Sequence, residues 1–517
     1  MRIAALALSF ALFAAPALAD TNVTIAQGSL TGTVDTGITV FKDIPFAAPP
    51  TGDLRWRAPQ PAPSWSGARD ATKFGPICPQ GPRSGEMVIR ETHAESEDCL
   101  SLNVWTPSTT GKAPVMVWIY GGSFRFGSGA SALYDGTDLA QHGVVVVTFN
   151  YRLGWLGFLD LPALAAEHPD EPHGNYGLMD QIAALTWVQK NIAAFGGDPN
   201  NVTIFGESAG GMSVNDLMVA PPARGLFHKA ISESGLGLID TPREAESQAA
   251  GAAFAQRLVG DEPPAEQLKD LRKRPLAAIV RDELGRGGAA MTPMVDGTIL
   301  PDGVARLFSE GRIAPAAYMA GSNSNEATLR KALDMSDESL LSALGPHAAD
   351  VRKIYEADGK LDDHAFADQL FDDGLFASGA QGFAHYAAKT GQPAYVYHFR
   401  YIPDALRGRD TGVGHGGEIA FVFGLHGLAN NPSTAMLVAF VTDKDKSIVA
   451  QMQNYWTNFA KTGDPNGQGQ PQWPRSTASA PVTLVVDDKI AAVPGFLSAR
   501  LAIIYANWTA RTGIAAP

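Results

Sequence analysis

Short apolar runs alternate with amphipathic segments along the chain. Val115–Tyr120 and Val144–Phe149 are continuous, rich in β-forming residues and bounded by turn residues, which indicates buried strands. After them, apolar residues recur at steps of three or four positions, which predicts one face of a helix. These residues are Leu178, Ile182, Leu185, Val188 and Ile192. The glycines and proline of Gly196–Pro199 predict the end of that helix.

Further apolar runs have the length and composition of strands: Val202–Phe205, Ala317–Ala320 and Tyr395–Tyr401. Strands that alternate with helices predict an α/β fold with a mostly parallel central sheet and helices on both faces. The segment Pro242–Arg286 is rich in Ala, Glu and Arg. We expect it to be a helical insertion over the sheet rather than a separate domain.

Length and charge narrow the class of protein. The 517 residues are 45 % hydrophobic and 18 % charged, a globular composition that excludes collagen-like, disordered and membrane-bundle proteins. Because neither an internal repeat nor a Gly/Ser linker divides the sequence, residues 20–517 are predicted to form one domain. The net charge of −13, without basic runs, argues against nucleic acid and anionic membranes as partners. The sequence leaves the oligomeric state open.

Residues 1–19 have the pattern of a signal peptide. Arg2 precedes the apolar run Ile3–Phe13, and Ala17 and Ala19 stand at the spacing that signal peptidase prefers, which predicts cleavage before Asp20. The alternative is a membrane anchor, although the run is shorter than a spanning helix requires. We therefore expect a soluble, exported protein that is periplasmic or secreted.

The chain has two cysteines, Cys78 and Cys99. Two are too few for a disulfide scaffold or a four-thiolate zinc site. In an oxidising compartment the pair is most simply one disulfide that closes a loop, which would contribute roughly 3 kcal/mol in the entropic model. Two free buried thiols are the alternative.

The chemistry centres on Ser208. Gly206–Gly210 (GESAG) matches the G-x-S-x-G pattern, follows the strand Val202–Phe205 and precedes the predicted helix Gly211–Val219. This strand–turn–helix context is that of a nucleophile elbow, in which the glycines let the turn close without a Cβ clash. The alternative is a tight turn with a serine that caps the helix.

A serine nucleophile needs a base and an acid, which in this architecture follow it in the order serine, acid, histidine. His415 is the candidate base because it lies in a glycine-flanked loop after a strand and before a helical run. His398 falls inside a strand, and the pattern around His385 indicates a surface helix position. Glu326 is the candidate acid, in the loop after Ala317–Ala320; a helix N-terminal glutamate is the alternative.

An oxyanion requires N–H donors that are fixed in advance. Gly121, Gly122 and Ser123 follow the strand Val115–Tyr120, where small residues let backbone amides approach a substrate oxygen. We assign the oxyanion hole to the backbone N–H groups of Gly122, Ser123 and Ala209. A plain glycine turn is the alternative.

Two segments resemble the signatures of the type-B carboxylesterase family, which includes cholinesterases and p-nitrobenzyl esterases. They are Glu97–Trp105 (EDCLSLNVW) and Phe205–Gly211 (FGESAGG). Gly197–Pro199, the Glu326 loop and His415–Glu418 (HGGE) match in order and approximate spacing, so the resemblance extends from about Ile44 to Trp473.

This resemblance implies an α/β-hydrolase fold, a catalytic triad of Ser208, Glu326 and His415, and a Cys78–Cys99 disulfide. Ser234, in the segment SESG, resembles the serine that supports the acid in this family; simple turn capping is the alternative. Glu207, beside the nucleophile, could place a carboxylate near the imidazolium or be an ordinary residue of the turn.

The chain departs from the family at two places. Ser123 stands where the family's oxyanion loop usually has a third glycine, so its amide can donate only if the backbone there tolerates a Cβ. The loop Pro79–Asp98 contains no Trp, Tyr or Phe, so the cation–π platform for choline is missing and a cholinesterase is not expected.

The sequence therefore predicts an exported ester hydrolase that acts on small molecules through an acyl-enzyme and requires no metal or organic cofactor. Since a neutral imidazole is the base, acylation is expected to fade below a pH of about 6–7. The alternatives are a non-catalytic binding protein on the same fold and an amidase or β-lactam hydrolase with the same triad. If Arg125, beside the glycine loop, points inward, acyl groups with a free carboxylate are expected to be preferred; an outward, solvated Arg125 is the alternative.

Overall fold

The computed structural model describes residues 21–81, 93–286, 291–357 and 359–517. The predicted signal peptide, residues 1–19, lies outside these ranges. The strands are β1 (Asn22–Ile25), β2 (Gly28–Thr31), β3 (Thr33–Asp35), β4 (Ile38–Pro45), β5 (Ala68–Asp70), β6 (Ser101–Thr106), β7 (Ala113–Ile119), β8 (Val145–Phe149), β9 (Gly197–Glu207), β10 (Lys229–Glu233), β11 (Ala317–Asn323), β12 (Ala394–Phe399), β13 (Val482–Val486) and β14 (Ala491–Pro494).

The α-helices lie in the connections between strands and in the segment Pro242–Arg286. They are α1 (Thr137–Gln141), α2 (Gly154–Phe158), α3 (Pro162–Glu167), α4 (Tyr176–Asn191), α5 (Ala209–Val219), α6 (Glu244–Val259), α7 (Pro264–Lys273), α8 (Leu276–Arg286), α9 (Val304–Ser309), α10 (Asp337–Ser342), α11 (Ala348–Tyr355), α12 (Asp363–Phe371), α13 (Ser378–Lys389), α14 (Ile419–Phe423), α15 (His426–Asn430), α16 (Ala435–Val438), α17 (Asp443–Thr462) and α18 (Ser498–Thr512).

The large sheet has the strand order β14-β13-β12-β11-β10-β9-β7-β8-β6-β4-β3. From β13 to β8 each strand is parallel to its neighbour, whereas both ends of the sheet are antiparallel. The predicted mostly parallel sheet is therefore confirmed. The sheet places the carboxyl ends of its central strands, where candidate site residues follow, along one edge.

The central strands are buried on both faces. Every residue of β8 is buried, and so is every residue of β10 and β11. Helices cover these faces, so the strands have continuous apolar runs instead of an alternating pattern. The predicted strand Val202–Phe205 is the centre of the longer strand β9, which begins directly after the cap at Gly196 (φ +75°).

The segment Pro242–Arg286 is helical, as predicted, and forms α6, α7 and α8. This insertion packs against α2, where Phe254 of α6 stacks on Trp155 with ring centroids 4.6 Å apart. Among the described residues, none of the helices combines the length and the apolar character that crossing a membrane requires.

Candidate active site

Ser208 lies between β9, which ends at Glu207, and α5, which begins at Ala209. Its backbone has φ +58° and ψ −123°, a strained conformation that ends the strand and starts the helix within one residue. The Ser208 amide donates to the carbonyl of Glu233 at the end of β10 (2.9 Å), which fixes the turn against the neighbouring strand. The side chain is half-buried and so remains accessible from solvent.

The flanking glycines are required by packing. A Cβ at Gly206 would lie 2.5 Å from the carbonyl oxygen of Ile119, and one at Gly210 would lie 1.9 Å from the same atom. Both distances are far below van der Waals contact, so β9 and α5 approach β7 this closely only with glycine at these two positions.

The loops that carry the predicted acid and base are joined by hydrogen bonds. The Asn325 amide donates to the Val413 carbonyl (2.9 Å), and the Val413 amide donates to Ser324 Oγ (2.9 Å). The amide of His415 donates to Thr328 Oγ1 (3.0 Å). Two segments about ninety residues apart in sequence are thereby held side by side.

Glu326 and His415 contact each other directly, with His415 Nδ1 2.6 Å from Glu326 Oε2. Both side chains are buried, and the other oxygen of Glu326 accepts hydrogen bonds from Ser234 Oγ (2.6 Å) and the amide of Asn323 (2.7 Å). These bonds orient the carboxylate towards the imidazole. Ser234 and Glu326, which the family resemblance linked, thus lie within hydrogen-bond distance of each other.

Glu207 faces the other nitrogen of the same imidazole. Its Oε1 lies 3.1 Å from His415 Nε2, so the ring stands between two buried carboxyl groups. Within the described residues Nε2 has no hydrogen-bond partner, and the hydrogen bond from Ser208 that the sequence-based triad anticipates is not formed in this arrangement. A catalytic hydrogen bond is often absent or long before substrate binds.

Two more glutamates lie in this cluster, which we call the carboxylate network: Glu207, Glu233, Glu326 and Glu418. Glu418 Oε2 accepts from Asn323 Nδ2 (2.5 Å), and Glu233 Oε1 accepts from Trp456 Nε1 (2.7 Å). Our sequence reasoning assigned no role to Glu418, Glu233 or Asn323. For Glu418 a signal existed, because it follows His415 by three residues within the same motif.

Burial determines the proton affinity of the carboxylate network, since a buried carboxylate loses its hydration. Burial raises the pKa of Glu207 to about 8. Burial, reinforced by the charge of Glu326, raises the pKa of Glu418 to about 7, and burial raises that of Glu233 well above its ordinary value. Burial thus favours the protonated form most strongly at Glu233, whereas the charge of Glu207 and that of the His415 imidazolium stabilise each other.

The pKa of His415 is raised to about 9. Burial alone would lower it, but the carboxylates of Glu207 and Glu326, with the hydrogen bond that His415 Nδ1–H donates to Glu326, outweigh that effect and favour the imidazolium. The neutral imidazole is consequently formed at higher pH than an ordinary histidine would give. If His415 acts as the base, activity is expected to fall at a higher pH than the range of about 6–7 that the sequence alone suggests.

The glycine loop, Gly121–Phe126, lies against the serine on its other side. A Cβ at Gly121 would stand 2.9 Å from Ser208 Cβ, so backbone and nucleophile are in contact there. Gly122 has φ +113°, and Ser123 has φ +55°. Ser123 thus adopts the left-handed conformation that a third glycine would adopt more easily, which answers the question raised by this departure from the family.

The three amides assigned to the oxyanion hole are available as donors. In the part of the chain that the structure describes, the N–H groups of Gly122, Ser123 and Ala209 donate no backbone hydrogen bond. The Ala209 amide belongs to the first turn of α5, where a helix leaves its donors unpaired. Orphan amides on both sides of one serine form a suitable site for a negatively charged oxygen.

Cys78 and Cys99 form a disulfide with their Cα atoms 5.1 Å apart, which confirms the predicted pairing. Gln80, two residues after Cys78, donates from Nε2 to the Gly127 carbonyl (3.1 Å) and accepts from the Gly127 amide (3.0 Å). The disulfide loop is therefore attached to the end of the glycine loop.

The other histidines differ in their surroundings. His398 lies in β12, as expected, where its Nδ1 is 3.2 Å from Ser322 Oγ and burial lowers its pKa to about 3. The surface position expected for His385 is wrong, because this residue is buried on α13 and burial lowers its pKa to about 4. Residues 378–387 of α13 are all buried although Ser378, Gln381 and His385 are polar, so the sequence pattern gives no sign that this helix is covered on all sides.

A group of described residues with suitable ligand atoms for a metal is Asp160, His173 and Glu244, whose ligand atoms lie within 4.8 Å of one another. His173 Nδ1 is 2.7 Å from Asp160 Oδ1, and this hydrogen bond raises the pKa of His173 against the opposing effect of burial. A hydrogen-bonded ion pair accounts for the contact, and the group shares no residue with the carboxylate network.

The fold and the site agree with comparisons to known proteins. The model of the carboxylesterase family matches residues 19–499. A solved structure of PNB esterase superposes on this chain with a TM-score of 0.80 at 34 % sequence identity. The solved structure of the carboxylesterase EST55 of Geobacillus stearothermophilus superposes on it with a TM-score of 0.79 at 33 % identity. They cover 94 % and 93 % of this chain and 99 % of their own. The architecture is therefore the α/β-hydrolase fold.

Similarity in sequence points to the same family. The chain is 38 % identical to para-nitrobenzyl esterase of Bacillus subtilis (strain 168), over 90 % of this chain and 95 % of that one. It is 37 % identical to fumonisin B1 esterase of Sphingopyxis macrogoltabida, over 87 % and 83 %, and 36 % identical to carboxylesterase 4A of Bos taurus, over 89 % of each. The chain belongs to the carboxylesterase family and is a carboxylesterase.

Proposed function

We propose that this carboxylesterase hydrolyses small-molecule esters through an acyl-enzyme on Ser208, with His415 as base and Glu326 as the acid that orients it. The observation that carries the proposal is the buried contact of 2.6 Å between His415 Nδ1 and Glu326 Oε2, next to a serine on a strained strand-to-helix turn. A neutral imidazole whose Nδ1–H is held by a carboxylate presents Nε2 as the basic nitrogen.

In the acylation step, Ser208 Oγ attacks the ester carbonyl carbon while His415 Nε2 takes its proton. The carbonyl oxygen becomes an oxyanion that accepts hydrogen bonds from the amides of Gly122, Ser123 and Ala209. The tetrahedral intermediate then collapses, the bond to the alcohol oxygen breaks, and His415 protonates the departing alcohol. Water repeats these steps on the acyl-enzyme and releases the carboxylic acid.

Glu207 is proposed as a positioning residue for the base. Its Oε1 is 3.1 Å from His415 Nε2 and attracts the proton that the imidazole carries before substrate arrives. The hydrogen bond between Ser208 and Nε2 then forms when the ester occupies the site and His415 is neutral. Ser234 supports the other side of the ring through its bond of 2.6 Å to Glu326.

We also propose that the chain is made with a signal peptide of residues 1–19 and that residues 20–517 form one domain that is periplasmic or secreted. Support for export comes from the Ala17-x-Ala19 pattern and from the Cys78–Cys99 disulfide, since such bonds persist in oxidising compartments. Intact-mass analysis of the protein purified from the periplasm or medium would give Asp20 as the first residue.

Substitution of the nucleophile tests the proposed chemistry. Ser208→Ala is expected to lower kcat for p-nitrophenyl acetate by about 10⁴-fold or more, because the oxyanion donors remain but the covalent step is lost. Turnover by Ser208→Ala close to that of the wild type would reject the mechanism. Faster turnover of p-nitroacetanilide than of p-nitrophenyl acetate by the wild type would instead favour an amidase.

A further inference from the structure

Arg125 is distinguished by its lack of a partner. It lies in the glycine loop, three residues after Gly122, and its side chain is half-buried. Within the described residues its guanidinium takes part in no hydrogen bond, ion pair or ring contact. A guanidinium presents five N–H donors, and a protein seldom removes them partly from water without supplying an acceptor.

The other arginines of the described chain show how unusual this is. Each of those that is buried or half-buried has a carboxylate within ion-pair distance. They are Arg55, Arg57, Arg69, Arg152, Arg272, Arg306, Arg330, Arg352 and Arg500. Among the half-buried arginines that the structure describes, Arg125 alone lacks a carboxylate at ion-pair distance, although the sequence has more acidic than basic residues. Its acceptor is therefore sought outside the described residues.

Arg125 lies in the same short loop as a residue that contacts the serine. Gly121 is in contact with Ser208, and the Arg125 amide donates to the Gly122 carbonyl (3.0 Å), so the loop makes a tight turn and Arg125 stays within four residues of that contact. An arginine side chain spans five bonds from Cα to Cζ, roughly 6 Å, which is the same span as the six carbons of an adipyl group.

We propose that Arg125 binds a free carboxylate at the end of the substrate's acyl group, and that this enzyme prefers half-esters of dicarboxylic acids to neutral esters. The proposal rests on the proposed function of Ser208. Planar guanidinium and carboxylate groups match in a bidentate pair, which gives both affinity and orientation. The acyl group is the part that stays on the serine through both half-reactions.

The electrostatics of the site favour this substrate. With a net charge of −13, the protein as a whole repels anions, so an anionic substrate requires a dedicated cation at the site. The carboxylate network next to Ser208 opposes an anion weakly, because burial raises the pKa of Glu233 well above its ordinary value and the imidazolium of His415, 3.1 Å away, offsets the charge of Glu207. The network and Arg125 together thus permit a carboxylate near the nucleophile.

The test compares two substrates that differ only in charge, monoethyl adipate and the ethyl ester of adipic acid monoamide, with ethanol release as the readout. The ratio of their kcat/KM values is expected to fall by about tenfold or more in Arg125→Gln, mainly through KM for the acid, and to be partly kept in Arg125→Lys. Arg224→Gln removes the same charge from an exposed position and is expected to leave the ratio unchanged. Raising NaCl from about 0.05 M to about 0.5 M should lower the wild-type ratio.

An equal ratio in the wild type and Arg125→Gln would overturn the proposal, and so would a larger effect of Arg125→Gln on esters whose carboxylate is in the alcohol part. These results differ from a failure of the proposed function, in which the wild type would hydrolyse neither adipate ester faster than Ser208→Ala does. Thermal unfolding of each variant shows whether Arg125→Gln remains folded.

Discussion

The two sides of Ser208 are built by different means. On one side, His415 is surrounded by the buried carboxylate network, and Glu326 is fixed by three side-chain or amide hydrogen bonds. On the other side, the glycine loop has positive φ angles, amides without backbone acceptors and an exposed Ser123. The proposed base therefore depends on the identity of the side chains around it, whereas the proposed oxyanion site depends on backbone shape. Substitutions on the two sides should fail in correspondingly different ways.

The largest effect is expected on the side of the base. Glu326→Gln should lower kcat for p-nitrophenyl butyrate by about 10³–10⁴-fold, because an amide neither holds the imidazole in the required tautomer nor stabilises the imidazolium. Glu310→Gln, on an exposed residue, is the matched control for loss of a carboxylate. Activity of Glu326→Gln within about tenfold of the wild type would show that Glu326 is not the acid of the triad.

A change of backbone shape should break the other side. Gly122→Ala is expected to lower kcat by about 10²-fold, because its Cβ would lie 2.1 Å from the Phe126 carbonyl oxygen and displace the donors. Gly391 also has a positive φ (+87°) but open space around it, so Gly391→Ala separates backbone strain from the clash and should keep its activity. Equal kcat values for the two variants would argue against the oxyanion assignment.

A smaller effect is expected from the support of the acid. Ser234→Ala removes the bond of 2.6 Å to Glu326 and should lower kcat by about tenfold with little change in KM, because this serine is buried and contacts Glu326. Ser479→Ala, at an exposed loop position, is the control. A rise in KM without a fall in kcat would assign Ser234 to substrate binding.

Glu207 should control the pH dependence more than the maximal rate. After burial, which acts in the opposite direction, its charge is the largest influence on the pKa of His415, about 9. Glu207→Gln removes that charge, so the pKa falls, the neutral imidazole forms at lower pH, and the acid limb of kcat/KM shifts down by about one pH unit or more. An acid limb that stays in place or moves up in Glu207→Gln would contradict this role.

The smallest effect separates backbone from side chain in the glycine loop. Ser123→Ala keeps the amide and removes only the hydroxyl, so kcat should stay within about threefold of the wild type. A loss of more than about tenfold would assign the donor to Ser123 Oγ instead of its N–H.

The sequence predicted what depends on local pattern. Continuous apolar runs identified the central strands, and the glycines beside Ser208 identified the turn, since both features are required at fixed positions in the chain. The contact between Glu326 and His415, 89 residues apart, was predicted from the order serine, acid, histidine along the chain and was supported by the family resemblance, not by any local pattern that joins the two residues.

Long-range packing was not predictable in the same way. Glu233 and Trp456 are 223 residues apart, and no sequence pattern around either residue predicts the hydrogen bond between them. A Glu207 carboxylate near the His415 imidazole was one of the two interpretations that the sequence allowed, and the structure has it 3.1 Å from Nε2. Which of the two applies, and which nitrogen Glu207 faces, depends on how two loops meet in space. The pattern around His385 misled because small residues on α13 permit close packing of a helix that looks polar.

The central claim is that Ser208 is a nucleophile activated by His415, and labelling with a fluorophosphonate probe tests it most directly. The account predicts one equivalent of label per chain, confined to the peptide that contains Ser208, and slow labelling in the variant His415→Gln. No labelling of folded wild-type protein, label on another peptide, or an unchanged rate in His415→Gln would contradict it.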